Sequence, residues 1–166
     1  MPAELPSAAI ADAGPIIHLD ELGVLSVLGG FREVLVPDAV AMEADRHRPT
    51  WRSRAPAGLR TESPPEERME NFLRVAALDV GEAAALALWQ EHPTAVLLCD
   101  DLAARQYAEG IGCAVTGTLG LVLWAGRVGR LELVRTRSLV KSIPDRTTLH
   151  IRPSLLAAAL HSLDDL

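Results

Sequence analysis

Two adjacent carboxylates, Asp100 and Asp101, stand where an apolar stretch gives way to a helix-like stretch. The preceding residues, 96–99, read VLLC, which is typical of a buried strand. Two like charges about 4 Å apart repel by about 4 kcal/mol at an effective dielectric constant near 20. The pair therefore predicts either that the two side chains point to different places or that a cation lies nearby.

Three further acidic residues occupy comparable positions in the chain. Asp12 ends the short apolar stretch 7–12, and Glu43 and Glu82 lie in stretches with helical patterns. In a parallel sheet the carboxyl ends of the strands border one crevice, which is where such sheets bind ligands. Several carboxylates at one crevice need a cation, or some of them must stay protonated. Oxygen ligands without paired Cys or His suit Mg²⁺ or Mn²⁺, so these acids are candidate metal ligands.

Each of these acids also has a purely structural interpretation. Asp12 and Asp101 could cap the helices that follow them, and Glu82 has the spacing from Asp79 that is typical of a capping box. Glu43 could be a solvated residue on a helix. The placement of these acids around one end of the predicted sheet is what favours a shared site.

The elements that must position these acids follow from the alternation of short apolar runs with helical patterns. Strands are predicted at 7–12, 33–37, 94–99 and 113–117, and helices at 14–30, 38–45, 79–92, 101–110, 118–129 and 153–163. Residues 66–78 favour a short helix that could lead into a brief strand, and Asp38 is a candidate N-cap. The alternation predicts an α/β fold, a three-layer sandwich with a central, mainly parallel sheet and helices on both faces.

Residues 46–65 break this pattern with arginine, proline and serine and are predicted to form a loop. Its first part, 46–60, contains five arginines and no acid. These arginines supply positive charge that a nucleic acid would need, and Trp51 among them could stack on an unpaired base. The alternative is a solvated loop without a ligand. The arginines are Arg46, Arg48, Arg52, Arg54 and Arg60.

Composition and charge limit the class of protein. The chain has 166 residues, 49% of them hydrophobic, which is ordinary for a globular domain. Its net charge of −6 argues against a protein that coats nucleic acid, although a local basic patch remains compatible. Cys99 and Cys113 lie in apolar surroundings and are expected to be free, buried thiols, which favours a reducing compartment. No secretory signal or membrane span is recognised, so the expected location is the cytoplasm, without membrane contact.

Four stretches, in this order, resemble the PIN-domain family, and most closely its VapC-like toxin subgroup. They are ADAGPIIHL (11–19), VPDAVAMEAD (36–45), LDVGEAAALAL (78–88) and the long stretch 97–129. The resemblance implies a single PIN-like domain over 1–166, with a core at about 7–131 and a C-terminal extension at about 132–166. It also implies a ribonuclease that depends on Mg²⁺ or Mn²⁺.

The resemblance assigns roles to the acidic residues. Asp12 matches the family's acid after the first strand, Glu43 the acid after the second, and Glu82 the acid that opens the long helix. Asp101, with Asp100 beside it, matches the acid after the next strand. Asp12, Glu43, Glu82 and Asp101 are thus expected to be catalytic. Asp12, Glu82, Asp100 and Asp101 are the expected metal ligands. The resemblance favours Asp101 as the direct ligand with Asp100 behind it, whereas capping of the next helix by Asp101 would leave Asp100 for the metal.

Two further positions concern the edge of the implied site. Thr118 matches a small hydroxyl residue that borders the site and is expected, with Arg46, Arg48, Arg52, Arg54 and Trp51, to contact the substrate. Many family members carry Ser or Thr two residues after the first acid, where this chain has Gly14. A hydroxyl that could orient a metal-bound water is therefore missing.

The function that these features predict is metal-dependent hydrolysis of RNA, with single-stranded RNA as the expected substrate. The alternative is a PIN-fold module that binds nucleic acid or protein with weak or no catalysis. A phosphoacceptor signalling domain also gathers acids at strand ends, but it is expected to have a lysine nearby, and Lys141 is the only lysine. The resemblance leaves an antitoxin protein and a second copy of the chain open as partners.

Overall fold

The sheet consists of five short strands, all parallel. In the computed structural model, which describes residues 7–75 and 78–164, their order across the sheet is β3-β2-β1-β4-β5. The strands are β1 Ala8–Ala11, β2 Glu33–Pro37, β3 Leu59–Glu62, β4 Val96–Leu98 and β5 Val115–Thr116. The chain runs outward from β1 to β3 and then returns to the other side of β1 with β4. The carboxyl ends of β1 and β4 therefore border the point where the strand order reverses, where ligands bind in such sheets.

Eight α-helices occur in the described residues, together with two short 3-10 helices. The α-helices are α1 Ala13–Glu21, α2 Asp38–His47, α3 Glu66–Val75, α4 Val80–Glu91, α5 Leu102–Gly110, α6 Thr118–Arg127, α7 Leu133–Arg146 and α8 Pro153–His161. The 3-10 helices are Leu25–Gly30 and Trp51–Arg54. None of the described helices is both long enough and apolar enough to cross a membrane.

Alternating side chains of the strands form two separate cores, one on each face of the sheet. Ala9 and Ala11 of β1 pack in the core that includes α1 and α6, whereas Ile10 packs in the core that includes α4 and α5. Successive residues of a strand point to opposite faces, and a sheet covered on both sides must be apolar on both. This three-layer arrangement confirms the predicted fold class. Cys99 and Cys113 are free and buried, as expected.

Two predicted elements are wrong in part. The predicted helix 14–30 ends at Glu21, because Gly23 takes a left-handed backbone conformation with a φ of 71°, and residues 25–30 form a 3-10 helix. The predicted loop 46–65 contains the second 3-10 helix and the strand β3. This strand lies at the edge of the sheet and is mostly polar, so it lacks the apolar pattern that identifies a buried strand.

Other differences concern single caps and the C-terminal part. Asp38 is the first residue of α2 rather than its N-cap, which is Pro37. Helix α7 was not predicted; its buried face is the narrow stripe of Thr136, Leu139, Val140 and Ile143. A short helix in 66–78 is confirmed by α3. The brief strand suggested after it falls partly on residues 76 and 77, outside the described part of the chain.

Candidate active site

An open cleft of about 440 Å³ lies at the carboxyl ends of β1 and β4. We call it the acidic cleft, because six carboxylate side chains line it: Asp12, Glu43, Asp79, Glu82, Asp100 and Asp101. They come from the ends of β1 and β4, from α2 and from the start of α4. The five acids singled out in the sequence therefore line one cleft, and their roles as ligands or catalysts stay predictions. Asp79 is an addition, since the sequence pointed to it only as a helix cap.

Asp12 lies at the centre of this arrangement of strands. Its amide donates to the carbonyl oxygen of Leu98 at 2.9 Å and so extends the pairing of β1 with β4. Asp12 occupies the N-cap position of α1, yet its side chain makes no capping hydrogen bond, so the interpretation of Asp12 as a simple cap is wrong. A Cβ on Gly81 would lie 3.4 Å from a carboxylate oxygen of Asp12 and 3.4 Å from one of Asp79. The two carboxylates thus face the same small space.

The start of α4 combines a helix cap with a cleft-lining acid. The Asp79 carboxylate accepts from the Glu82 amide at 2.8 Å, and Glu82 Oε2 accepts from the Asp79 amide at 2.9 Å. This reciprocal pair is the predicted capping box. It engages one carboxylate oxygen of Glu82, and in the described part of the chain the other, Oε1, accepts no hydrogen bond. Capping and a place in the acidic cleft are therefore compatible for Glu82.

The charges in the acidic cleft are poorly compensated. Burial raises the pKa of Asp12 to about 7, against a lowering by the Ala13 amide, and the carboxylates of Asp79, Glu82 and Glu43 add to the rise. Burial also raises the pKa of Glu82, against the hydrogen bond from the Asp79 amide, and neighbouring carboxylates contribute. Within the described ranges, no Lys or Arg forms an ion pair with Asp12, Glu43, Asp79 or Glu82. A bound cation would relieve this repulsion and favour the ionised carboxylates.

The adjacent carboxylates of Asp100 and Asp101 serve different neighbours. Asp100 Oδ2 accepts from the Thr118 hydroxyl at 2.6 Å and bonds His18 Nδ1 at 2.8 Å, while its Oδ1 accepts from the Thr118 amide at 2.7 Å. Asp100 therefore joins β4 to α1 and α6. Asp101 caps α5 through a hydrogen bond from the Ala104 amide to its Oδ1 at 2.9 Å. The two charges diverge, as the alternation of side chains along an extended chain predicts.

Thr118 is fully buried at the start of α6, and both its amide and its hydroxyl are used by Asp100. The prediction that Thr118 contacts the substrate is therefore wrong. Its position at the edge of the site follows from its support of Asp100, which lines the acidic cleft.

Arg48 and Arg54 both form ion pairs with one buried carboxylate. Arg48 Nε donates to Asp20 Oδ2 at 2.6 Å, and Arg54 donates to both oxygens of Asp20 at 2.6 and 2.8 Å. The side chain of Asp20 is fully buried. Burial alone would raise the pKa of Asp20, but the hydrogen bonds from Arg54 and Arg48 outweigh it and lower that pKa. The side chains of Arg48 and Arg54 remain 37% and 47% exposed, so their role in substrate binding stays a prediction. The sequence did not reveal their pairing, because Asp20 lies 28 to 34 residues earlier in the chain.

Arg52 and Trp51 both donate hydrogen bonds to Asp45. Arg52 donates two hydrogen bonds to Asp45, at 2.8 and 2.9 Å, and its guanidinium lies 5.0 Å from the Trp51 ring. Trp51 is fully buried, and its indole Nε1 donates to Asp45 at 2.8 Å. A ring without exposed surface cannot stack on a base, so the substrate role predicted for Trp51 is wrong. The Arg52 side chain is half-exposed, and its contact with the substrate stays a prediction.

Two other arginines border the acidic cleft without an ion pair to any described carboxylate. Arg46 lines a hollow that it shares with Glu43 and Asp79. Arg105 lines a hollow on the opposite side, which includes Asp100. Arg46 was among the predicted substrate contacts, and its role stays a prediction. Arg105 was missed, because nothing in the pattern of α5 distinguishes it from a solvated helix residue.

The segment between α7 and α8 also reaches the acidic cleft. Thr148, Leu149 and His150 line it, and Thr148 Oγ1 lies 3.2 Å from His18 Nε2. His18 could have been found in the sequence, since it follows Gly14 by four residues and so lies on the same face of α1. No local signal marks Thr148 or His150, because only the tertiary fold brings residues 130 positions apart into contact.

The carboxylate oxygens of the acidic cleft are suitable ligands for a metal ion, although the cleft is open to solvent. Among the described residues, no three His, Cys, Asp or Glu side chains are placed to hold a metal ion as they stand. Mg²⁺ in nucleic-acid enzymes keeps several waters and uses one or two carboxylates together with phosphate oxygens of the substrate. An ion of this kind needs only a few protein ligands. The uncompensated carboxylate of Asp12, with further carboxylates around it, is therefore sufficient without a closed cage of protein ligands.

Comparison with known proteins agrees with this geometry. The chain matches the family model DUF3368, described as a PIN domain, over residues 8–165. No curated protein and no solved structure matches it. The matched range includes α7 and α8, beyond the stretches that carried the resemblance in the sequence. PIN domains are generally nucleases and typically use divalent metal ions. The chain belongs to the PIN-domain family.

Proposed function

We propose that this protein is a Mg²⁺- or Mn²⁺-dependent ribonuclease that hydrolyses phosphodiester bonds of single-stranded RNA in the acidic cleft. The observation that carries the proposal is the state of Asp12. It lies where the strand order reverses, its pKa is raised to about 7, and it has carboxylates rather than cations for neighbours. Such a group is costly to keep in a fold unless it binds a cation.

The side chains of the acidic cleft divide the chemical work. Asp12, Glu82 and Asp101 would hold the ion, the last two with the carboxylate oxygen that their helix caps leave free. The bound ion supplies neutralisation of phosphate charge and a lowered pKa of water. Glu43 would orient the attacking water from α2 and accept its proton as the new P–O bond forms. The P–O bond to the leaving oxygen breaks in the same displacement, and that oxygen takes a proton from solvent. Asp100 keeps His18 and the start of α6 in place.

The test is cleavage of labelled single-stranded RNA by wild type and two variants, in Mn²⁺ and in EDTA. Asp12→Asn removes a charge from the cleft, whereas Glu109→Gln removes one from an exposed position on α5 outside it. We expect wild type and Glu109→Gln to cleave only with Mn²⁺, and Asp12→Asn to fall to background. Equal cleavage by all three proteins would point to a contaminating nuclease and contradict the proposal.

A PIN-fold binding module without strong catalysis is the second candidate, and Gly14 favours it. A Cβ on Gly14 would lie 3.5 Å from Asp100 Oδ2, which is ordinary contact, so the backbone position accepts a Cβ. If the missing hydroxyl limits the rate, Gly14→Ser should raise Mn²⁺-dependent cleavage severalfold without loss of thermal stability. A wild type that binds RNA in Mn²⁺ without cleaving it would favour the module and contradict the ribonuclease.

The finer role of a VapC-like toxin rests on the resemblance of the sequence. A toxin of this kind should stop the growth of a bacterial host when it is expressed alone, and Asp12→Asn should relieve that arrest. An antitoxin and a second copy of the chain are the partners that this role implies. Growth that is unaffected by well-expressed wild type would contradict the toxin role while leaving the ribonuclease proposal in place.

A further inference from the structure

A second hollow, of about 290 Å³, opens beside the acidic cleft on the side of β5 and α6. We call it the side pocket. Asp100, Leu149 and His150 line both spaces, so the side pocket and the acidic cleft are direct neighbours. The remaining walls are contributed by α6, by the segment after α7 and by the start of α8.

The walls of the side pocket are aliphatic and its rim is polar. The aliphatic side chains are Leu119, Leu123, Leu149, Ile151 and Leu155. The polar groups are the guanidinium of Arg105, the ring of His150 and the hydroxyl of Thr116. Such a combination of apolar walls with a few placed polar groups is typical of sites for small ring systems.

Thr116 offers a hydrogen-bonding group to the side pocket. The residue is only 4% exposed, it lines the side pocket, and its hydroxyl makes no hydrogen bond within the described part of the chain. The fully buried side-chain N and O atoms without a partner in the described residues are the indole nitrogens of Trp89 and Trp124, so the Thr116 hydroxyl is accessible from the pocket. A hydroxyl in that position can take a ligand as its hydrogen-bond partner. The pocket is the space from which such a partner can reach it.

Arg105 lies between the two spaces. A Cβ on Gly117 would lie 2.8 Å from Arg105 Nη1 and 2.4 Å from Asp100 Oδ1, so the guanidinium rests against backbone next to the cleft wall. The described carboxylates leave it without an ion pair. A cation at this border is suited to the phosphate that follows the one held in the acidic cleft.

We propose that the side pocket binds one base of the nucleic acid whose neighbouring phosphate lies in the acidic cleft. The inference rests on the proposed function and specifies how that site selects its substrate. A base has flat apolar faces for the leucine walls and a hydrogen-bonding edge for Thr116, while the linking phosphate meets Arg105. An aliphatic side chain of a protein partner would pack against the leucine side chains. It would offer no hydrogen-bond partner to Thr116 and no negative charge to Arg105.

The test compares the affinity of labelled hexauridylate with that of the same backbone lacking its bases, measured by fluorescence anisotropy. Ca²⁺ replaces Mg²⁺, and gels confirm that the RNA stays intact. Leu155→Trp, at a half-exposed position of α8, should fill the pocket, and Thr116→Val removes its hydroxyl without changing its shape. Val134→Trp and Thr136→Val on α7 are the matched controls, because neither residue lines the pocket.

We expect wild type and both controls to prefer hexauridylate by about fivefold or more, the lower end of what one stacked base contributes. Leu155→Trp and Thr116→Val should each lose most of that preference. Equal affinity of wild type for the two probes, or an unchanged preference in both variants, would overturn the inference. Base-dependent binding without cleavage in Mn²⁺ would support the pocket and contradict the ribonuclease, and cleavage without base dependence would do the reverse.

Discussion

At the scale of single residues, the acids of the cleft differ in what their oxygens already bind. Asp100 uses both oxygens for His18 and Thr118, and Asp101 uses one for its helix cap. The Asp12 carboxylate has a long contact of 3.9 Å from the Cys99 thiol and lies beside the Ala13 amide, without a side-chain cap of α1. The more an oxygen is engaged by the fold, the less it is free for a cation. We therefore propose Asp12 and Asp101 as the stronger ligands and Asp100 as a positioning residue.

Substitution of the adjacent pair separates these two roles. Asp101→Asn should abolish cleavage at a cost of less than about 1 kcal/mol in the free energy of unfolding, because asparagine still caps a helix. Asp100→Asn should leave measurable cleavage but cost about 1–3 kcal/mol, because an amide cannot accept all three hydrogen bonds. Initial rates in Mn²⁺ and urea unfolding measure both. Activity kept in Asp101→Asn and lost in a stable Asp100→Asn would reverse the assignment.

At the scale of elements, the sequence predicted the features that depend on residues close together in the chain. The capping box of Asp79 and Glu82 is visible because its two members are three residues apart, and β1, β2 and β4 are visible as apolar runs. The partners of Arg48 and Arg54 were hidden, because Asp20 lies on another helix. The sequence also did not predict that side chains after α7 line the acidic cleft, because they reach it only through tertiary contacts.

The arginines of residues 46–54 provide a test at this scale. Arg48→Gln with Arg54→Gln should lower the free energy of unfolding by about 3 kcal/mol or more, because the buried carboxylate of Asp20 loses both partners. Arg46→Gln should leave stability within about 0.5 kcal/mol, since Arg46 is exposed.

For RNA binding we expect the larger effect from Arg46→Gln and the smaller one from the double variant at Arg48 and Arg54. Arg46→Gln should reduce the dependence of binding on salt by about 0.7 in the log–log slope, as expected for one lost phosphate contact on a single strand. The folded double variant at Arg48 and Arg54 should keep the wild-type slope. A lower slope in the double variant alone would favour these arginines as substrate contacts.

At the scale of the whole molecule, the acidic cleft couples stability to pH and to divalent cations. The pKa of Asp12 in the fold is about 7, above its ordinary value of 3.8, so the folded state holds the proton more tightly than the unfolded state. The stability linked to this proton is fully present below about pH 4 and is lost as the pH rises through about 7. Glu82, whose pKa is also raised, acts in the same direction.

Without metal, the melting temperature of wild type should therefore fall from pH 5 to pH 8 more steeply than that of Asp12→Asn. The difference corresponds to a few kcal/mol at most, at about 1.4 kcal/mol for each unit of pKa. Mg²⁺ should stabilise wild type more at pH 8 than at pH 5, because it binds the ionised carboxylates. Parallel pH profiles of the two proteins would contradict the assigned ionisation of Asp12.

The metal assignment can be decided by anomalous diffraction from crystals of wild-type protein soaked in Mn²⁺ at pH 8. The expected result is a Mn²⁺ peak among Asp12, Glu82 and Asp101, with Asp100 still bonded to His18 and Thr118. Asp12→Asn crystals soaked in the same way should lack the peak. Absence of Mn²⁺ from the acidic cleft of wild type at saturating concentration, or a peak bound only at another place, would contradict a metal-dependent nuclease at this site.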